Sequence, residues 1–81
     1  MHDKEIKEKI VTKLYRHDYF GGKHTDIENL KKGMPRHIGH EIKQQIKELV
    51  KENIILLKPT AYGLHVSLNP EKRKEIEKYI N

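Results

Sequence analysis

Residues 35–53 read PRHIGHEIKQQIKELVKEN, and residues 54–68 read IILLKPTAYGLHVSL. In the first of these segments apolar side chains recur every three or four positions, which is the spacing of one face of an α-helix. The members of this apolar face are Ile38, Ile42, Ile46, Leu49 and Val50. We therefore predict a long helix over about residues 35–52, with Ile42, Ile46 and Leu49 buried in the core.

The opposite face of this long helix is predicted to be cationic. A rotation of about 100° per residue places seven polar side chains on it. These side chains are Arg36, His37, His40, Lys43, Gln44, Lys47 and Lys51. The acidic residues Glu41, Glu48 and Glu52 fall on the flank beside the apolar face instead. A cationic face without acids suits a polyanion groove, although a solvated face in a lysine-rich protein has the same composition.

The second segment predicts a β-hairpin over residues 54–68. Its first half, up to Lys58, is rich in residues that favour strands, and its second half alternates apolar with polar residues like a half-buried strand. Pro59 and Gly63 bound the residues between these halves. They predict a turn of about five residues, with the proline tolerated at a strand end.

Two further helices are predicted before the long one. Apolar spacing indicates a helix over about residues 3–16, with Asp3 as its N-cap. Thr25 and Glu28 fit a capping box that opens a short second helix over residues 25–32.

The short helix runs into the long one through Lys32-Gly33-Met34, and a connection this short predicts a helix-turn-helix. Gly33 fits the glycine that ends a helix. Gly39, inside the long helix, costs up to about 1 kcal/mol relative to alanine. A close crossing of the short helix over the long one would explain this glycine.

A last helix is predicted over residues 70–80. Asn69 fits its cap and Pro70 its first position. Apolar residues follow at helical spacing, namely Ile76, Tyr79 and Ile80. Two interpretations stay open: the helix completes the core against the first helix, or it forms a homodimer contact.

The long helix, the hairpin and the junction YGLHVSLNP at residues 62–70 resemble the winged helix-turn-helix family of DNA-binding domains, most closely its small archaeal members. The resemblance covers most of the chain. It implies one α+β domain over residues 1–81, with a three-helix core, a β-hairpin wing and a C-terminal helix.

The resemblance also implies a site. In winged-helix proteins the helix equivalent to residues 35–52 typically lies in the DNA major groove, and the wing touches the neighbouring backbone or minor groove. The groove candidates are Arg36, His37, His40, Lys43 and Gln44, of which Arg36 suits guanine and Gln44 suits adenine. Lys47 and Lys51 are the candidates for phosphate contacts. The candidates for contacts from the wing are Lys58, Thr60 and Tyr62. Lys31 and Lys32 are expected near the path of the DNA backbone.

Charge and composition favour an acidic partner. The 81-residue chain carries a formal charge of +5, and seven cations against three acids between Lys31 and Lys58 leave +4 in that window. The absence of cysteine excludes disulfides and thiolate metal sites. No apolar run is long enough to span a bilayer, so we expect a soluble cytoplasmic protein with no membrane partner.

No catalytic, metal or cofactor site is predicted. The motif His37-Ile38-Gly39-His40 spells the signature of class I aminoacyl-tRNA synthetases, but that signature needs a sheet domain larger than this chain can form. His37 and His40 lack a third zinc ligand. Ser67, the only serine, belongs to no nucleophile–base pattern, so we expect a non-enzymatic protein.

The expected partner is therefore double-stranded DNA, bound with sequence preference in transcriptional regulation. Two alternatives stay open, a winged-helix module that docks a protein within a larger complex, and an RNA-binding domain. An exposed apolar patch on residues 54–57 or on the last helix would favour the protein-docking alternative.

Overall fold

The structure, a computed structural model, describes residues 2–80. The apolar spacing near the start of the chain produces helix α1, Asp3–Arg16. The helix covers the predicted span, and its apolar face is fully buried: Ile6, Ile10, Val11 and Leu14. The predicted N-cap is wrong, because His2 occupies the cap position and Asp3 already lies in the first turn. There the Asp3 carboxylate favours the helix through the positive end of its dipole.

The predicted short helix over residues 25–32 is wrong. Thr25–Asp26 form strand β1, and Ile27–Leu30 form one 3₁₀ turn. Thr25 is buried opposite Val66, and its hydroxyl accepts a hydrogen bond of 2.8 Å from the Asn29 amide. Because Thr25 is held in the sheet, Asp26 caps the turn instead by accepting the Glu28 N–H at 2.8 Å.

The predicted long helix over residues 35–52 is divided into two pieces. Arg36–Ile38 form a 3₁₀ helix, and helix α2 runs over Gly39–Lys51. The break lies at Ile38, whose φ of −105° and ψ of 20° depart from α-helical values. The apolar face is buried as predicted at Ile38, Ile42, Ile46 and Leu49. Gln45, which was not predicted to be in the core, is buried beside them.

The hairpin consists of strands β2, Ile55–Thr60, and β3, Gly63–Leu68. Thr60 pairs with Gly63, so the connection is a two-residue turn rather than the predicted five. The Thr60 hydroxyl stabilises it, accepting the Tyr62 N–H at 3.1 Å and donating to the Gly63 carbonyl at 2.7 Å. Pro59 fits within β2 because β2 is an edge strand.

The three strands form one antiparallel sheet in the order β1-β3-β2. The sheet and the helices share a core, which Tyr19 and Phe20 cover at the end of α1. Arg73 lies over the Phe20 ring, 4.4 Å from its centroid. The described part of the chain is thus a small α+β fold with three α-helices, of which none is long and apolar enough to cross a membrane.

The last helix begins as predicted with Asn69, whose side chain accepts the Glu71 N–H at 3.1 Å. A 3₁₀ turn, Pro70–Lys72, leads into helix α3, Arg73–Ile80. The helix packs on α1, and Ile76 is fully buried. Ile76 therefore belongs to the core of one chain, in agreement with the first of the two interpretations, while Tyr79 and Ile80 remain half-buried.

Gly39 does not mark a helix crossing, because a Cβ at this position would meet no atom within 4 Å. Its φ of −56° also suits any residue. We therefore expect Gly39→Ala to raise the free energy of unfolding by about 0.4–1 kcal/mol, by restricting the unfolded chain. Urea denaturation measures this change.

Gly63→Ala provides the opposite control. Gly63 has a φ of 138°, and a Cβ there would lie 3.3 Å from the Asp26 carboxylate. This substitution should destabilise the protein. A Gly39→Ala protein less stable than the original would contradict the open environment of Gly39.

Candidate nucleic-acid interface

The predicted cationic face is intact at the surface. All seven of its side chains are exposed: Arg36, His37, His40, Lys43, Gln44, Lys47 and Lys51. The 3₁₀ helix carries the first two and α2 carries the other five. His40 and Gln44 face each other one turn apart, with 3.5 Å between their Nε2 atoms. The five side chains on α2 therefore share one face of that helix, and Arg36 and His37 lie on the 3₁₀ helix that precedes it.

The charge of this face is largely free. Among residues 2–80, neither Lys43 nor Lys47 makes an ion pair. Lys51 lies 3.8 Å from Glu48, and both side chains are well exposed. An exposed pair of this kind contributes little stability. An anionic partner can therefore engage Lys43 and Lys47 without breaking an ion pair.

Glu48 pairs with Lys51 of the cationic face, whereas Glu52 lies away from it. Glu52 turns toward α1 and α3, where its carboxylate accepts hydrogen bonds from Tyr79 at 2.7 Å and Lys7 at 3.1 Å. The Tyr79 hydrogen bond, aided by Lys7, lowers the pKa of Glu52. Burial, together with Glu52, raises the pKa of Tyr79 to about 12. Glu52 therefore connects the three helices.

Of the remaining residues predicted to contact DNA, some are exposed and others have side chains that already interact within the protein. Tyr62 is 93% exposed at the hairpin tip, and Lys32 is exposed after the 3₁₀ turn. Lys31 pairs with Glu28 at 3.2 Å, and the Thr60 hydroxyl is used within its own turn. These two side chains are thus less suited to DNA than the sequence indicated.

Lys58 is exposed, but the structure does not bring it to the cationic face. In the strand register Lys58 lies opposite His65, whereas its neighbour Leu57 faces α2. Successive side chains of a strand point to opposite faces. Lys58 therefore lies on the far side of the hairpin from α2.

The sequence did not reveal a groove between α2 and the hairpin, with a volume of about 720 Å³. Its lining is largely apolar: Ile27, Ile46, Val50, Leu57 and Leu64. Lys43, Lys47, Lys51 and Tyr62 also border it. The one signal available was the width of the apolar face of α2, since Val50 at its edge is only half-buried.

A second feature not foreseen is a histidine pair. The Nδ1 atoms of His24 and His65 lie 2.8 Å apart, and the rings are edge-to-face at 72°. One ring must donate and the other accept, so at least one is neutral. The His65 Nε2 lies 3.9 Å from the Asp26 carboxylate. Within the described residues no group of three or more histidine, aspartate or glutamate side chains could hold a metal ion.

This pair should make stability depend on pH. Partial burial, followed by electrostatic repulsion from Lys58 and then from the neighbouring His65, lowers the pKa of His24 below its ordinary value of 6.5. The unfolded state then binds more protons than the folded state as the pH falls. We expect the melting temperature to decrease as the pH is lowered from about 7 to about 5.

Thermal denaturation over a series of pH values measures this effect. His24→Gln should reduce the decrease, because the substituted side chain does not titrate. Lys58→Ala should reduce it in part, since one cause of the lowered pKa is removed. Equal decreases in the original and His24→Gln proteins would contradict the role of the pair.

No protein-family model matches this chain, and neither a curated protein nor a solved structure matches it. The cationic face, the groove and the histidine pair are therefore the features from which a function can be inferred.

Proposed function

We propose that this protein is a winged-helix domain that binds double-stranded DNA through the exposed face of α2 and acts as a transcriptional regulator. The observation that carries the proposal is the cationic face itself. Its side chains are all exposed, while the opposite side of α2 is buried in the core. Such a helix can enter the major groove, whose width admits an α-helix.

The architecture supports the winged-helix assignment. The hairpin of β2 and β3 follows α2 after a short connection, and β1 pairs with β3. The Ile54 N–H donates to the Leu49 carbonyl at 2.9 Å, so the hairpin starts from a fixed position at the end of α2. The helix and the wing therefore face a partner as one unit. The first element of the helix-turn-helix is reduced to one 3₁₀ turn.

The spacing of the lysines suits a phosphate backbone. Lys43, Lys47 and Lys51 recur at every fourth residue, which places them in a row about 12 Å long at a rise of about 1.5 Å per residue. Lysine acts on phosphates as a mobile point charge. In the proposed complex the row contacts phosphates and contributes affinity without discrimination between sequences. This assigns Lys43, a groove candidate from the sequence, to the phosphates together with Lys47 and Lys51.

Sequence preference would come from the other side chains of the face. Arg36 can donate two hydrogen bonds to guanine, and the Gln44 amide can pair with adenine. The 3.5 Å approach of His40 to Gln44 helps to orient that amide. At the hairpin tip, Tyr62 is positioned for the sugar or the backbone.

Titration of isotope-labelled protein with a short random-sequence duplex tests the proposal residue by residue. We expect the largest backbone NMR shift changes in residues 36–51 and at the hairpin tip. The solvent-facing sides of α1 and α3 serve as the internal control and should change little. Changes centred on α1 or α3, or no changes at low salt, would contradict the proposal.

A further inference from the structure

The groove between α2 and the hairpin combines an apolar lining with solvent exposure. Leu57 is 44% exposed within it, and Tyr62 is 93% exposed at its border. Contact with a partner would remove this apolar surface from water, which favours binding. A phosphate backbone cannot supply such contacts, because burying it against apolar side chains would strip its water without replacement.

The open charge of the groove is positive. Lys43, Lys47 and Lys51 border it along α2. Two acids, Asp26 and Glu28, also border it, so three lysines outnumber two carboxylates there. Glu28 pairs with Lys31 at 3.2 Å, and Asp26 accepts the Glu28 N–H at 2.8 Å. An occupant that matches this groove therefore needs apolar side chains next to carboxylates.

A second copy of this chain does not match these needs. The apolar faces of α1 and α3 are largely buried in the core, and the large apolar side chains exposed within residues 2–80 lie on the hairpin: Leu56, Leu57 and Tyr62. The chain also carries a charge of +5, so two copies would bring like charges together.

We infer that this groove docks an acidic amphipathic segment of a partner protein. Its apolar side chains contact Val50 and Leu57, and its carboxylates pair with the lysine row. A helical segment with acids at every fourth position would match the spacing of that row. Because the same lysines belong to the proposed DNA-binding face, peptide and DNA exclude each other. This exclusion rests on the proposed function, whereas the docking does not.

The docking is tested by selecting a displayed peptide library for binding to the full chain, in the absence of nucleic acid. We expect a random peptide library to yield sequences that combine Asp or Glu with aliphatic or aromatic residues at helical spacing. One selected sequence, made synthetically, is then the probe for affinity measurements. No enrichment, or enrichment of peptides without acids, would overturn the inference.

Matched variants then locate the site. Leu57→Asp, inside the groove, should weaken binding of the synthetic peptide by at least about tenfold. Leu56→Asp is the control, since Leu56 is similarly exposed, at 39%, on the opposite face of the same strand. Equal losses in the two variants would overturn the placement. Circular dichroism verifies that both variants are folded.

Charge exchange provides the second variant. Lys43→Glu with Lys47→Glu should abolish binding of the acidic peptide, and a peptide with its acids replaced by lysine should bind this variant instead. Failure of that exchange would overturn the role of the lysines. A duplex that binds the original protein without displacing the peptide would overturn the exclusion alone, so the docking and the DNA proposal can fail separately.

Discussion

Leu49→Ala should lower the free energy of unfolding by about 2–5 kcal/mol. Leu49 is fully buried in the core shared by α1, α2 and the sheet. Its truncation removes apolar contacts and leaves a cavity that the packed helices can close only in part. A small domain is stable by only about 5–15 kcal/mol, so the effect is a large fraction of the total.

Urea denaturation followed by circular dichroism measures this loss. Gln44→Ala is the control, because Gln44 is exposed on the same helix and its truncation should change stability by no more than about 0.5 kcal/mol. If the free energy of unfolding of the Leu49→Ala protein also changed by no more than this amount, the burial of this face of α2 would be contradicted.

Lys43→Ala combined with Lys47→Ala should weaken binding to all duplexes and lessen the slope of log affinity against log salt by about two units. These two lysines make no ion pair within the part of the chain that the structure describes. Their charge is therefore available to phosphates. Fluorescence anisotropy of a labelled duplex over a range of salt concentrations measures both quantities.

A matched control removes the same charge elsewhere. Lys4→Ala combined with Lys9→Ala also takes two positive charges from the chain, at exposed positions on α1. Its slope should stay close to that of the original protein. Equal losses in the two double variants would indicate that net charge, rather than the α2 face, determines binding.

The features predicted well from the sequence are those that depend on local periodicity. Apolar spacing predicted α1, the buried face of α2 and the exposure of the opposite face. The Asn69 cap also followed from neighbouring residues. Each of these patterns repeats over a few residues and reflects which side of one element meets the core.

The features missed depend on contacts between distant residues. Thr25 and Glu28 fit a local helix start, but pairing of Thr25 with Val66 draws this segment into the sheet. The histidine pair joins residues 41 positions apart. The groove needs Ile27, Val50 and Leu57 from three separate elements. The two-residue turn depends on the register of the strands, which Pro59 and Gly63 alone do not determine.

The proposed DNA binding is tested most directly by titrating the unmodified protein with a random-sequence duplex at increasing salt. Binding should be measurable at about 50 mM salt and weaken with a slope of roughly −2.7 to −3.6, as three to four phosphate contacts at about 0.9 each require. No binding at low salt, or an affinity that does not change with salt, would contradict the proposal.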